Sequence, residues 1–315
     1  MIIVTGGAGF IGSNLVKGLN DAGYDNILIV DDLKYGHKCR NMNALDFIDY
    51  IDRWDFIDNL DSLRNDIDII FHQGACSDTM EYDGQYILTT NYDYSKELFN
   101  VAAEIFAPFI YASSAAVYGT GENGFVESRE NEDPLNVYAF SKFLFDQYVR
   151  KNRSRVDNQV VGLRYFNVYG QQENHKGKMA SPVYHFYNQL KEKGEAELFK
   201  GRHNFVSDFV YVDDAVDVNL YFLNNRDISG IFNCGTGKAR SFVDIAEILI
   251  DLKGSGKWEE IPFPEKLKGK YQDFTKAELT RLREAGYDRE FTTLEEGIKK
   301  YHYYLENNDG YLEYE

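Results

Sequence analysis

The apolar positions of this chain fall into two alternating patterns. Short β-branched runs read as buried strands, and between them longer stretches place apolar residues every three or four positions, as the inner face of a helix does. Met1–Thr5 is the first run; Ile11, Leu15, Val16, Leu19 and Ala22 follow at helical spacing, up to a stop at Gly23. Ile27–Asp31 predicts a second strand and Asp66–His72 another, and a long helix carrying Asn91 is expected from about Tyr82 to Phe106. Pro108–Ala112 predicts the next strand, Pro134 opens a helix containing Tyr138 and Lys142, and Gln159–Phe166 predicts the strand after it. Such alternation predicts an α/β fold, a Rossmann-type doubly wound parallel sheet.

Beyond Asn167 the alternation loosens. A loop of Gly, Lys and His residues (Gly170–Lys178) precedes a helix over about Met179–Lys193. Asp208–Val212 predicts a strand, Asp213 begins another helix, and Ile231–Gly235 predicts a strand returning to the main sheet. No repeat, low-complexity tract or flexible linker interrupts the chain. The expected division is a dinucleotide-binding unit over 1–168 with a return near 205–240, and a smaller, interleaved α/β substrate region over 169–315. The site would lie in the cleft between them.

Composition narrows the function. A hydrophobic fraction of 43% and an aromatic fraction of 15% describe a packed globule. A net charge of −17 argues against a nucleic-acid surface, so an anionic ligand needs a local basic pocket. No apolar run approaches the roughly 18 residues of a membrane span, and no signal peptide is expected. Cys39, Cys76 and Cys234 lack metal-ligand spacing and read as buried thiols of a reducing cytoplasm.

The candidate chemistry begins at the first strand. Gly6-x-x-Gly9-x-x-Gly12, with Phe10 and Ile11 inside it, joins that strand to the first helix. Glycines let the backbone close on a pyrophosphate, and the helix start offers free N–H groups and a positive dipole end. Asp31 and Asp32 end the second strand, where a carboxylate grips ribose hydroxyls and argues for NAD; Lys34, Lys38, Arg40 and Arg53 follow and either hold the 2′-phosphate of NADP or form a merely solvated basic loop. Gln73, Gly74, Ala75, Cys76 and Ser77 end the third strand, small enough for a flat cofactor to lie close. Tyr138-x-x-x-Lys142 puts a phenol and an ammonium on one helix face, where the positive charge would lower the phenol's pKa and make a base. Tyr92/Lys96 and Tyr187/Lys191 share the spacing but follow no serine-ended strand, so they read as partly solvated helix faces. Ser114 can bond the same substrate hydroxyl as Tyr138, and Lys142 can also reach the nicotinamide ribose.

Together these residues resemble a family, the extended short-chain dehydrogenase/reductases. Thr5–Gly12, Ser113–Gly119, Tyr138-x-x-x-Lys142 and Arg164–Gly170 fall in that family's order. Gln73–Ser77, Asn136–Asp146, His175–Ser181, Asp208–Val212 and the stretch from Ile261 to Gln272 are similar to the branch that epimerises ADP-glyceromanno-heptose at C6, a step toward lipopolysaccharide. The resemblance implies transient oxidation and re-reduction of one sugar carbon by a tightly held cofactor, usually NADP, with Lys38 and Arg53 near the 2′-phosphate. It also implies Lys176 as a second acid/base, with adjacent Lys178 as the other candidate. Asn167, Val168, Lys178, His185, Phe199, Lys200, Gly201 and Tyr271 would surround the substrate, and the assembly would be a homo-oligomer, a homopentamer.

The chain departs from the family at Val206-Ser207, where an arginine is common; Arg202 is the nearest candidate to answer the substrate's diphosphate. Ala115 and Ala116 stand where 4,6-dehydratases place carboxylates, which argues against dehydration. A UDP-hexose 4-epimerase and a non-catalytic NAD(P) sensor are the alternatives, and retention of Ser114, Tyr138 and Lys142 counts against the sensor.

Overall fold

The computed structural model describes residues 1–34, 36–201, 205–262 and 272–314. The chain runs β1 (Ile2–Thr5), α1 (Phe10–Asp21), β2 (Ile27–Asp31), β3 (Asp49–Asp52), α2 (Arg53–Leu63) and β4 (Ile69–His72). It continues through α3 (Gly84–Leu88), α4 (Tyr94–Glu104), β5 (Phe109–Ser114), α5 (Val137–Asn152) and β6 (Val160–Tyr165). Next come β7 (Asn167–Tyr169), α6 (Pro182–Lys193), β8 (Glu195–Phe199), β9 (Val206–Tyr211), α7 (Val212–Asn224) and β10 (Gly230–Cys234). The last elements are β11 (Ala239–Ser241), α8 (Phe242–Lys253), β12 (Lys257–Ile261), α9 (Thr280–Glu284) and α10 (Leu294–Asn307).

Seven strands form one parallel sheet in the order β10-β6-β5-β4-β1-β2-β3. Both of its faces are covered, so its inner strands are buried and read as apolar runs, while β3 at the edge is not. Ile2 and Val4 join one core with α1 and α7, whereas Ile3, Leu28 and Val30 join another under α2, α4 and α5. α1 and α7 touch closely at Gly18, where a Cβ would lie 2.4 Å from Val216. Strand order reverses between β1 and β4. In such sheets that reversal opens the ligand crevice at the strands' carboxyl ends.

The second region has its own core around Val183, Phe186, Phe209, Ile245 and Ile298. β9 lies between β7 and β11 in a three-stranded sheet, and β8 pairs with β12 in a separate two-stranded one. β10 is the strand that returns to the central sheet, beside β6.

Some expectations need correction. The long helix predicted from about Tyr82 starts at Gly84 and is α3 and α4 joined by a π-turn over Thr89–Asp93. The helix expected from Met179 starts at Pro182, capped by Ser181. Of the three thiols only Cys234 is buried; Cys39 is exposed, in a 3-10 helix over Gly36–Met42 that buries only Asn41, and Cys76 is half-buried in the loop after β4. Of the Tyr187/Lys191 pair, Tyr187 is buried, its hydroxyl donating to the Leu305 carbonyl at 3.1 Å, while Lys191 is exposed.

Candidate active site

The glycine loop sits on the crevice. Gly6 takes φ +70°, and a Cβ on it would meet the Gly74 backbone at 2.6 Å; one on Gly12 would lie 2.0 Å from the Gly6 carbonyl oxygen. The strand-end loops after β1 and β4 therefore pack backbone to backbone. Gly9 caps α1 without a side-chain bond, and the first turn has no acidic residue. That leaves the N–H groups around Phe10, Ile11 and Gly12 free to receive a pyrophosphate. The residues fit a dinucleotide.

Asp31 is buried and faces the loop: its Oδ2 accepts the Ala8 N–H at 2.9 Å and its Oδ1 accepts from Lys38. Arg53 lies 3.4 Å from Asp32. Both basic residues thus converge on the end of β2.

On the other side of the crevice Asn91 lies in the π-turn, buried. Its Oδ1 accepts the Cys76 N–H at 2.8 Å and its Nδ2 donates to the Cys76 carbonyl at 2.9 Å and to Ser141 Oγ at 3.1 Å. π-turns recur at functional sites. Beneath it runs a buried chain: Gly74 N–H to Thr5 Oγ1, Thr5 to His72 Nδ1 at 2.6 Å, His72 Nε2 to Ser95 Oγ at 2.7 Å, and Ser95 to the Asn91 carbonyl at 2.6 Å. Because Ser95 gives its hydrogen to Asn91, it accepts from His72, so the ring carries its proton on Nε2 and accepts at Nδ1. Burial, with help from Lys142, lowers the His72 pKa to about 3, so the ring stays neutral.

Ser114 ends β5, and its Oγ accepts the Ala116 N–H at 3.1 Å. Tyr138, in the first turn of α5, hydrogen-bonds Ser114. Lys142 lies one turn on, buried, its Nζ donating to the Ala112 carbonyl at 2.8 Å. The expected acidification of Tyr138 by Lys142 is not found. Burial raises the phenol's pKa and the Ser114 bond pulls it partly back down. The ammonium is instead committed to Ala112, and burial brings its own pKa down to about 8.

Lys176 approaches the glycine loop from the second region. Its Nζ lies 4.6 Å from the Phe10 ring centroid and 3.7 Å from Glu173, and burial lowers its pKa. Glu173 is fully buried and also accepts from the Ser181 N–H at 2.6 Å and hydroxyl at 2.5 Å. Lys178, two residues on, is exposed. The loop is laced to the cofactor half. Gln171 Nε2 donates to Asn14 at 2.9 Å, and Asn41 donates to the Ala8 and Gln172 carbonyls at 2.9 and 3.2 Å and bonds His175 at 3.1 Å. Residues 309–312 fasten it from the other side. Gln172 N–H reaches the Gly310 carbonyl at 2.7 Å, Asn174 the Asp309 carbonyl at 2.7 Å, and the Arg40 guanidinium stacks 3.9 Å from the Tyr311 ring.

The remaining substrate candidates come from separate elements. Asn167, exposed at the start of β7, donates to Thr275 at 3.2 Å, with Val168 half-buried beside it. His185 lies in α6 just beyond the Ser181 cap, Phe199 ends β8, and Lys200 and Gly201 stand in the turn after it. Arg202 and Tyr271 lie outside the described residues. Ser207 is buried and pairs across β9–β11 with Arg240, which is engaged by Asp244 at 2.9 Å and Glu295 at 2.8 Å.

Sequence reasoning missed Asp208. Buried at the mouth of the second region, it accepts from Thr236, Gly237 and Ala277 N–H groups at 2.7, 2.8 and 2.9 Å and so holds the loops beside Asn167. It also missed Gln272, which donates to the Ala115 and Gly119 carbonyls at 3.3 and 2.5 Å, in the segment that follows Ser114. Both residues lie in stretches that carry the family resemblance, but their contacts could not be read in advance, because their partners lie far along the chain.

Known proteins share this arrangement. A heptose epimerase of Brachyspira hyodysenteriae, ADP-L-glycero-D-manno-heptose-6-epimerase, is 54% identical over 99% of this chain and its own whole length. The crystal structure of the Helicobacter pylori enzyme of that name superposes with a TM-score of 0.85 at 31% identity, covering 97% of this chain and 96% of that one. A UDP-N-acetylglucosamine 4-epimerase from Methanobrevibacter ruminantium has a TM-score of 0.85 at 25% identity, over 96% and 97%. The NAD dependent epimerase/dehydratase family matches residues 2–235. With its glycine loop, its Ser114, Tyr138 and Lys142, and these full-length likenesses, the chain belongs to that family, among the extended short-chain dehydrogenase/reductases its motifs resemble.

Proposed function

We propose that this protein interconverts ADP-D-glycero- and ADP-L-glycero-D-manno-heptose at C6. The observation that carries the reading is the 54% identity to a heptose epimerase across the full length of both chains. The site supports it: Tyr138, oriented by Ser114, takes the proton of the C6 hydroxyl as the carbon is oxidised to a ketone. Lys142 holds the ribose side, and the bound nicotinamide supplies the reversible hydride acceptor. C6 lies outside the pyranose ring, so rotation about one bond presents the opposite carbonyl face while the diphosphate stays in place. The carbonyl oxygen then moves away from Tyr138, and Lys176 serves it as second acid/base. Lys176 fits this task better than Lys178 because it is enclosed and its pKa is lowered.

The cofactor of this reading is NADP, supported by Lys38 and Arg53 at the end of β2. The working form is a homo-oligomer, a pentamer, in the cytoplasm; among the described residues no helix is long and apolar enough to cross a membrane. Incubation with ADP-heptose and, separately, with UDP-glucose tests the assignment once the epimers are resolved. Heptose epimerisation is expected. Turnover of UDP-glucose alone would make the protein a 4-epimerase, and no turnover would make it a nucleotide sensor.

A further inference from the structure

Tyr138, Lys142 and Asp146 stand four residues apart on α5 and so share one face of the helix. Asp146 is fully buried. Its Oδ1 accepts from the Tyr111 hydroxyl at 2.9 Å, and its Oδ2 accepts from Ser113 Oγ at 3.0 Å and from Arg164 Nε and Nη2 at 2.9 and 2.8 Å. Tyr111 and Ser113 flank Ala112, whose carbonyl receives Lys142, and Ser113 precedes Ser114, which receives Tyr138. One carboxylate therefore ties the catalytic helix to the catalytic strand on both sides of the Lys142 contact. Arg164 is itself enclosed, bonded to Glu132 as well as Asp146 and stacked 4.8 Å from the Tyr118 ring. A buried ion pair of this kind is weak evidence for stability, since apolar residues of similar volume often do as well. Its placement one turn from Lys142 calls for another reason.

We propose that Asp146 is a positioning residue of the active site: its carboxylate sets α5 against β5 so that Tyr138 meets Ser114, and it supplies the counter-charge that keeps Lys142 an ammonium. The inference rests on the reading of Lys142 given above. Burial lowers the Lys142 pKa, and Asp146 is the strongest influence opposing that. The other titratable groups that interact with Lys142 are Cys76 from the loop after β4 and His72 from β4, which stays neutral.

The test measures kcat and KM against pH for nucleotide-sugar epimerisation by the holoenzyme. Asp146→Asn keeps a group that can accept from Arg164 and donate to the Tyr111 oxygen while removing the charge. Its alkaline limb should move to lower pH by about 1 unit, the size expected for a neighbouring opposite charge. Asp146→Glu, which restores the charge on a longer arm, should return the limb toward the wild-type position. Tyr111→Phe combined with Ser113→Ala strips both hydroxyl tethers without touching a charge, so it should lower kcat with KM and the limb unchanged. An unmoved limb in Asp146→Asn overturns the counter-charge, and a wild-type kcat in the tether variant overturns the positioning. The tether variant decides the matter if Asp146→Asn does not fold. Lys142→Met serves as the reference: wild-type turnover there sinks the parent reading, whereas an inactive Lys142→Met beside an unmoved Asp146→Asn sinks only this one.

Discussion

Asn91 holds the main chain of Cys76 by both of its polar groups, accepting its N–H at 2.8 Å and donating to its carbonyl at 2.9 Å. The π-turn that carries Asn91 thus fixes the small-residue loop on which a nicotinamide would lie. Asn91→Ala leaves a half-buried peptide unit without partners, a loss of about 1–3 kcal/mol. The melting temperature should fall, and the cofactor should wash out during gel filtration. Full retention by the variant would leave the clamp without a part in cofactor binding.

Lys38 pairs with Asp31 and Arg53 with Asp32. Replacing both with Gln removes two cations and exposes two carboxylates to any bound 2′-phosphate. NADP affinity should drop by about 1.5–3 kcal/mol per lost charge-assisted bond, while NAD affinity changes little. Titration of the cofactor-free protein with each dinucleotide checks this, and equal losses would point to NAD as the natural cofactor.

Tyr138→Phe and Lys176→Met should each lower epimerisation by about 10²–10⁴-fold, the range for a positioned acid/base. Each should still oxidise one epimer in a single turnover, and the two variants should differ in which. Nicotinamide reduction by each pure epimer reads this directly. Normal oxidation of both epimers by Lys176→Met would remove that lysine from the chemistry.

His72 enters a pH prediction with a definite sign. Its folded pKa, about 3, lies below the ordinary value of 6.5, so between those limits the unfolded chain binds a proton that the folded chain refuses. Its share of stability is complete above pH 6.5 and is lost as pH falls toward 3, at up to about 1.4 kcal/mol per pH unit. His175, lowered to about 4 by burial, acts in the same direction. Denaturant unfolding at pH 7 and pH 5 should show a shallower loss for His72→Gln than for wild type. Equal slopes would place the proton uptake elsewhere. Nitrogen NMR of the wild type should find the proton on Nε2.

What could be read from the chain in advance follows from how local the signals are. Ile27–Asp31 and Gln159–Phe166 read as strands because a parallel sheet covered on both faces makes them continuous apolar runs. β3, Asp-Tyr-Ile-Asp at the sheet's edge, has too little apolar content to be read as a strand. Tyr138 and Lys142 were legible because helix spacing and the preceding serines are local. The direction of the Tyr138 pKa was not, since burial comes from surroundings far along the chain. Asp146 shared their helix spacing, yet its meaning depends on Arg164 and Ser113, which only the sheet brings to it.

The bonds from Gln172 and Asn174 to residues 309–310 also set an order of events during synthesis on the ribosome. All seven strands of the central sheet have left the exit tunnel well before residue 309, and chains fold from the N-terminal side as they emerge. The loop carrying Lys176 can then lace to Asn14 and Asn41, but its second fastening is still being translated. A nascent chain arrested near residue 300 would therefore bind dinucleotide with the Lys176 loop held from one side only. The bed for the cofactor is complete first, and the second fastening of the Lys176 loop follows only when residues 309 and 310 have emerged.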